Sequence, residues 1–257
     1  MPPPSDNAFG RAVRHVRRIA RPWTSRLSGR PSEGHQKGGN FLRELVFGAN
    51  DGLVSNVALV AAVAGGTSNP NVILLGGIAG LVAGAISMAL GAYVSTKSEH
   101  EFCASEEARE RWEVENMREQ ELAETRHIFR LKGITGPLLD EVVAAVSRDH
   151  EQWIKLMMTE ELGFADQSPK PKLSATVMGL AFSVGALFPV VPYFLAEGDA
   201  AFITSLSLTA AALFGVGALR ASMTTGSMWR KGLEMVVLGG AAVAIANLIG
   251  RAVGVNV

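Results

Sequence analysis

Five long stretches with almost no charge, parted two and three by a strongly charged segment, leave this chain few ways to fold. They lie at about 45–66, 72–96, 173–195, 200–219 and 232–249. Each supplies roughly the 20 residues an α-helix needs to cross a ~30 Å hydrocarbon layer. A soluble helical protein would have to bury all five at once, and the short polar loops between them argue against that. The alternating apolar and polar residues of a membrane β-barrel are absent. The expected class is an all-α membrane protein: five transmembrane helices per subunit, with a helical insert between spans two and three. Whole-chain averages hide this segregation, because the formal net charge is zero and 48% of residues are hydrophobic.

The distribution of basic residues predicts the orientation. The loops 67–71 and 196–200 carry no Lys or Arg, whereas the N-terminal tail, the segment 97–172 and the loop near Arg220, Arg230 and Lys231 do. Positive residues stay on the cytoplasmic side, so the N-terminus and the insert are expected inside and the C-terminus outside, which suits five spans. The domain reading is a basic tail over 1–40, spans one and two over 41–96, the insert over 97–172 and spans three to five over 173–252. The tail is rich in arginine (Arg11, Arg14, Arg17, Arg18, Arg21, Arg26, Arg30), and Phe9, Val13, Val16, Ala20 and Trp23 share one helical face. A surface-lying helix over 8–21 or a disordered tail is expected, and an organelle transit peptide has a similar composition. No apolar run of the secretory kind opens the chain, and the lone Cys103 rules out an internal disulfide.

Ten glutamates against three arginines lie between Glu99 and Glu124. Cys103, Glu106, Glu110, Glu113, Met117, Glu121 and Glu124 follow at steps of three or four, which puts them on one stripe of a helix. No Gly or Pro interrupts 92–132, so the second span is expected to continue as one long helix to the break at Gly133, Gly136 and Pro137. A second helical region runs over 138–162, with Gly163 at its end and Asp149 and Gln152 as a capping-box pair that would divide it in two. Like charges at i,i+3 repel by a few tenths of a kcal/mol. Bound cations would relieve that repulsion, and Met157, Met158 and Glu161 lie within one turn of each other and can face the stripe. Carboxylate oxygen suits Mg²⁺, Ca²⁺ or Mn²⁺, and thioether sulfur biases a site towards softer ions such as Fe²⁺. The alternative is a solvated acidic face beside two core methionines.

Asp51 stands in the first span within Phe47-Gly-Ala-Asn-Asp-Gly-Leu-Val-Ser-Asn56. A membrane-buried aspartate costs about 2.5–3.5 kcal/mol on insertion scales, so such a residue lines a pathway or pairs with a cation, unless it reaches the headgroups. Gly48 and Gly52 permit close helix approach, and the pairs Ala211 with Gly215 and Gly240 with Ala244 read as helix packing. By spacing alone Met88 reads as packing. Glu124-Thr-Arg-His127 matches half of a di-iron carboxylate motif, but His150 has Ser147 three residues before it, so the second half is missing. No phosphate loop, zinc-finger spacing or nucleophile elbow is present, and the acidic insert argues against nucleic acid.

Arg43-Glu-Leu-Val-Phe-Gly-Ala-Asn-Asp-Gly-Leu-Val54, Ser87-Met-Ala-Leu-Gly-Ala-Tyr93 and Phe188-Pro-Val-Val-Pro-Tyr193 resemble, in order, the first three spans of the vacuolar iron transporter family. The resemblance covers about 41–252. It implies a homodimer of five-span subunits that exchanges Fe²⁺ for protons and captures metal in a cytoplasmic domain. It also implies metal ligands at Glu110, Glu113, Glu121, Glu124, Met157, Met158 and Glu161, and a transport pathway with Asp51 and Met88. One departure is Gly80, where described family members have a glutamate. Proton coupling would then rest more heavily on Asp51, with Glu44 as a candidate substitute.

The expected function is a secondary transporter, not an enzyme. It would move Fe²⁺, or Mn²⁺ and other divalent transition metals, out of the cytosol in exchange for protons, without a prosthetic group. Its partners would be the transported ions, the lipid bilayer and a second copy of the chain. A bacterial inner membrane is the first expectation and a vacuolar membrane the alternative. The rival readings are a membrane-anchored di-iron oxidase or iron-storage protein, and a metal-gated channel.

Overall fold

The computed structural model describes residues 37–164, 170–223 and 226–254, and every described element is helical. The arginine-rich tail, with the helix expected over 8–21, lies outside the described residues. The helices are α1 (Lys37–Gly66), α2 (Pro70–Asn116), α3 (Arg118–Leu131), α4 (Pro137–Val146), α5 (His150–Glu160), α6 (Pro171–Val190), α7 (Pro192–Leu195), α8 (Gly198–Met223) and α9 (Met228–Val253). Five of them, α1, α2, α6, α8 and α9, are long and apolar enough to cross a membrane, and they coincide with the five stretches read from the sequence. The chain divides into two compact units, with boundaries at 99/100 and 168/169.

The unit formed by 36–99 and 169–257 is organised around α1, which packs along α6 and α9 and also touches α8. Small residues allow this. A Cβ on Gly52 would lie 2.2 Å from the carbonyl oxygen of Phe182, and one on Gly185 would lie 2.2 Å from that of Ala49. The two helices therefore meet backbone to backbone, as Gly48 and Gly52 suggested. Val60, Ile73, Val190, Tyr193 and Ala201 close an apolar cluster behind this contact. On α2 the side chains of Leu75, Ile78, Val82, Ile86 and Leu90 point outwards, the pattern of a helix whose outer solvent is lipid. Within the chain Gly215 and Gly240 meet no other side chain or backbone, and close approaches between α8 and α9 occur at Gly217, Gly232 and Gly239. Four-residue spacing of small residues marks a possible contact ridge but not which ridge is used.

The unit around 100–168 contains the last part of α2 together with α3, α4 and α5. Val114, Trp153, Ile154 and Met157 form its core, with Leu122, Ile128, Val146 and Met158 at the edge. Asp149 accepts hydrogen bonds from the backbone N–H groups of Glu151 and Gln152, so the second helical region is two helices, α4 and α5. Gly133 and Gly136 take positive φ angles of 86° and 68°, and Pro137 opens α4. The long helix does not reach residue 132. It breaks at Met117 (φ −123°, ψ 33°) without a Gly or Pro, and the chain re-enters a helix at Arg118. The break follows from packing: Val114 on one side and Leu122 on the other meet the same Trp153-centred core. A straight helix would direct these two residues along one rod.

Candidate metal-binding residues

The break at Met117 assembles the acidic site. Eleven residues of unbroken helix would separate Glu110 from Glu121 by about 16 Å along the axis. Instead, the carboxyl of Glu110, from the end of α2, lies near enough to that of Glu121, from α3, for each to affect the other's protonation. Both residues are buried, at 2% and 3% exposure, and each keeps one carboxyl oxygen (Oε1 of Glu110, Oε2 of Glu121) without a partner. Burial, with the nearby charges of Glu121, Glu161 and Glu113, pushes the Glu110 carboxyl up to about 8. Burial and the Glu124 charge raise Glu121. Burial, with Glu124 and Glu113, raises Glu161 just past the end of α5. Two carboxylates sharing a site without a cation hold a proton more tightly than either would alone.

The arginines of the stretch stand beside this group. Arg109 bridges Glu106 at 3.2 Å and Glu113 at 3.5 Å, and Arg111 pairs with Glu107 and Glu151. All five predicted glutamates thus share one field, with Glu113 held by Arg109. They converge in charge but not in ligating geometry: among the described residues, no three His, Cys, Asp or Glu side chains are arranged to hold a metal ion.

The two methionines fall differently. Met157 is fully buried in the core, where its sulfur lies 3.6 Å from the hydroxyl of Thr125. That hydroxyl has one proton and sits closer, at 2.7 Å, to the carbonyl oxygen of Glu121, while Trp153 Nε1 donates to it at 2.8 Å. Met158 is half-buried at the edge of the same core. A cleft of about 500 Å³ is lined by Glu124, His127 and Glu161 and by neither methionine. His150 instead lies 3.1 Å from the guanidinium of Arg118, which also covers the Trp153 ring at 5.1 Å. A cation in that position competes with any metal at His150, so the second half of a di-iron motif is not restored in space.

In the other unit, Met88 lines a cleft of about 370 Å³ with Glu44, Thr96, Glu99 and Met178. Ser174 of α6, itself buried, donates to Glu44 Oε1 at 2.7 Å and fixes that carboxylate at the rim. Asp51 lies seven residues further along α1, half-buried and outside the lining of this cleft. The Ser55 hydroxyl donates to the backbone carbonyl of Asp51 at 2.6 Å and so leaves its carboxylate alone. The structure therefore groups Met88 with Glu44 rather than with Asp51. Sequence reasoning missed Met178 and Ser174, because a methionine and a serine in an apolar helix carry no spacing signal of their own.

Residues 42–251, nearly the whole described chain, match the VIT family. The chain belongs to that family. Among its relatives, vacuolar iron transporter 1 of Eucalyptus grandis is 34% identical over 89% of this chain and 92% of its own length. Vacuolar iron transporter 1 of Arabidopsis thaliana is 34% identical over 86% of this chain and 90% of its own. Protein CCC1 of Saccharomyces cerevisiae is 30% identical over 80% of this chain and 66% of its own. The VIT family is one of transporters, not enzymes. The resemblance seen in three short motifs thus extends along the chain.

Proposed function

We propose that this VIT-family protein moves Fe²⁺, and other divalent transition metals with it, out of the cytosol in exchange for protons. Its class, a metal-ion transporter, follows from family membership. The cargo is inferred from the names of its relatives and from the mixed oxygen and sulfur chemistry of the insert. The observation that carries the capture step is the Glu110–Glu121 pair: two buried carboxyls from two helices, each with an oxygen left over. A divalent ion displaces the shared proton and draws in Glu113, Glu124 and Glu161 as further oxygen ligands, with Met158 nearest to offer sulfur and Met157 reached only if the core loosens.

In this reading the rim carboxylate Glu44 and the thioether of Met88 take up the ion at the cytoplasmic mouth, and Asp51 passes it across. Asp51 alternates between proton and metal, which couples the two gradients although position 80 offers no carboxylate. The orientation is N-terminus and insert cytoplasmic, and the working unit is a homodimer. The plant relatives carry the word vacuolar in their names and lend no support to a bacterial inner membrane. Capture is tested by measuring Fe²⁺ binding to detergent-purified protein. Glu110→Gln with Glu121→Gln is expected to weaken affinity by about 10–100-fold, the range for losing a metal-site partner. Unchanged affinity would remove the insert from the mechanism.

A further inference from the structure

Met178 of α6 takes no part in the steps above, yet it lines the same cleft of about 370 Å³ as Glu44 of α1 and Met88 of α2. Three different spans thus bring one carboxylate and two thioethers to one cleft. The packing behind this is close. A Cβ on Gly179 would lie 3.0 Å from Ala89 Cβ and 3.3 Å from the carbonyl oxygen of Ala85. The helices α6 and α2 therefore meet at the residues next to the two methionines. A Cβ on Gly48 would lie 2.9 Å from the carbonyl oxygen of Met178, which sets the same turn of α6 against α1. Ser174 stands one turn before Met178 on the same face of α6, and its bond to Glu44 Oε1 at 2.7 Å turns that face towards the carboxylate.

The cleft has room for the cargo. Six waters take up about 180 Å³ at ~30 Å³ each, so a divalent ion fits together with its first hydration shell. A carboxylate offers about four lone-pair sites, and the bond from Ser174 leaves Glu44 able to ligate. Glu99 adds a second negative charge to the lining. Arg43 lines the cleft as well, but it is exposed, so its guanidinium can stay in solvent. Met178 itself is half-buried and borders this open volume, where a methionine serving only as filler would close it.

We propose that Met178 is a second sulfur ligand at this mouth and sets its preference for softer divalent ions. The proposal rests on the transport reading above, which puts Glu44 and Met88 at the entrance. A carboxylate with one thioether leaves a site dominated by carboxylate and water oxygen, which suits Mn²⁺. A second thioether moves the ligand set towards Fe²⁺, because sulfur favours the softer ion. A thioether carries no exchangeable proton, so selection at the mouth precedes the proton step and leaves coupling with Asp51.

The test is initial-rate uptake of Fe²⁺ and Mn²⁺, offered together to proteoliposomes of wild type, Met178→Leu and Met178→Gln. Both ions compete in the same vesicles, so their ratio does not depend on how much folded protein each preparation holds. Leucine keeps nearly the volume and removes the sulfur, whereas glutamine puts an amide oxygen near its place. The expected result is an Fe²⁺:Mn²⁺ uptake ratio lowered about tenfold in Met178→Leu, the low end of the range for losing a metal-site group. Met178→Gln should lower the ratio at least as far. A wild-type ratio in both variants, whether the rates hold or fall together with the thermal transition of the purified protein, would reduce Met178 to packing and overturn the proposal. Uptake of neither ion by wild type would instead sink the transport reading, and the proposal with it.

Discussion

At the residue scale the account turns on carboxyl groups whose surroundings favour the proton. Glu110 rises from 4.5 to about 8 on folding, so between those values the folded protein holds a proton that the unfolded chain has released. Its contribution to stability is complete below 4.5 and disappears as pH rises through about 8. Metal-free protein should accordingly lose thermal stability across that window, and Glu110→Gln should flatten the slope; stability that rises with pH would contradict the assignment. Glu151 acts in the opposite sense, since its pairing with Arg111 lowers its carboxyl, and its effect falls below 4.5. Added Fe²⁺ should release protons on binding at pH 7, measurable as a buffer-dependent binding enthalpy, because the ion and the shared proton compete for the same oxygens. Asp51→Ala is expected to abolish transport with the fold intact, and wild-type flux in that variant would remove Asp51 from the pathway.

At the level of elements, two glycines in membrane-spanning helices should behave oppositely. Gly52→Leu drives a side chain into the backbone of α6 and should destabilise the protein by about 1–3 kcal/mol or more. Gly215→Ala meets nothing and should be neutral or stabilising by about 0.5–1 kcal/mol through helix propensity. Thermal unfolding in detergent separates the two, and similar losses in both would show that α1 and α6 do not meet as described. The spans were legible because twenty uncharged residues have one cheap fate in a bilayer, and the α4–α5 division was legible because Asp149 is a capping residue in front of a helix pattern. The break at Met117 was not. Glu115-Asn-Met-Arg118 holds no Gly or Pro and only Asn116 as a mildly poor helix former, and the turn goes with Trp153 collecting Val114 and Leu122 from both sides. For the same reason the sequence identified which glutamates belong together but placed them on one stripe, where two helices facing each other were needed. Met157 shows the reverse limit, since its position within one turn of Glu161 was visible while ligand and core methionine remained alternatives until its burial decided for the core.

For the whole molecule, the predicted orientation puts the loops at 67–69 and 196–197 on the side opposite the insert. With Cys103 replaced by alanine, single cysteines at Asn69 and Glu197 should react with an impermeant thiol reagent from outside the cell, and one at Glu119 should not. Labelling of Glu119→Cys from outside would invert the transport direction proposed here. The central claim, metal moved against protons through Asp51, is most directly tested by Fe²⁺ uptake into proteoliposomes of wild type and Asp51→Ala, with and without an imposed pH gradient. The account predicts wild-type uptake that requires the gradient, and none in the variant under either condition. Wild-type uptake that ignores the gradient would make the protein a channel and contradict the coupling.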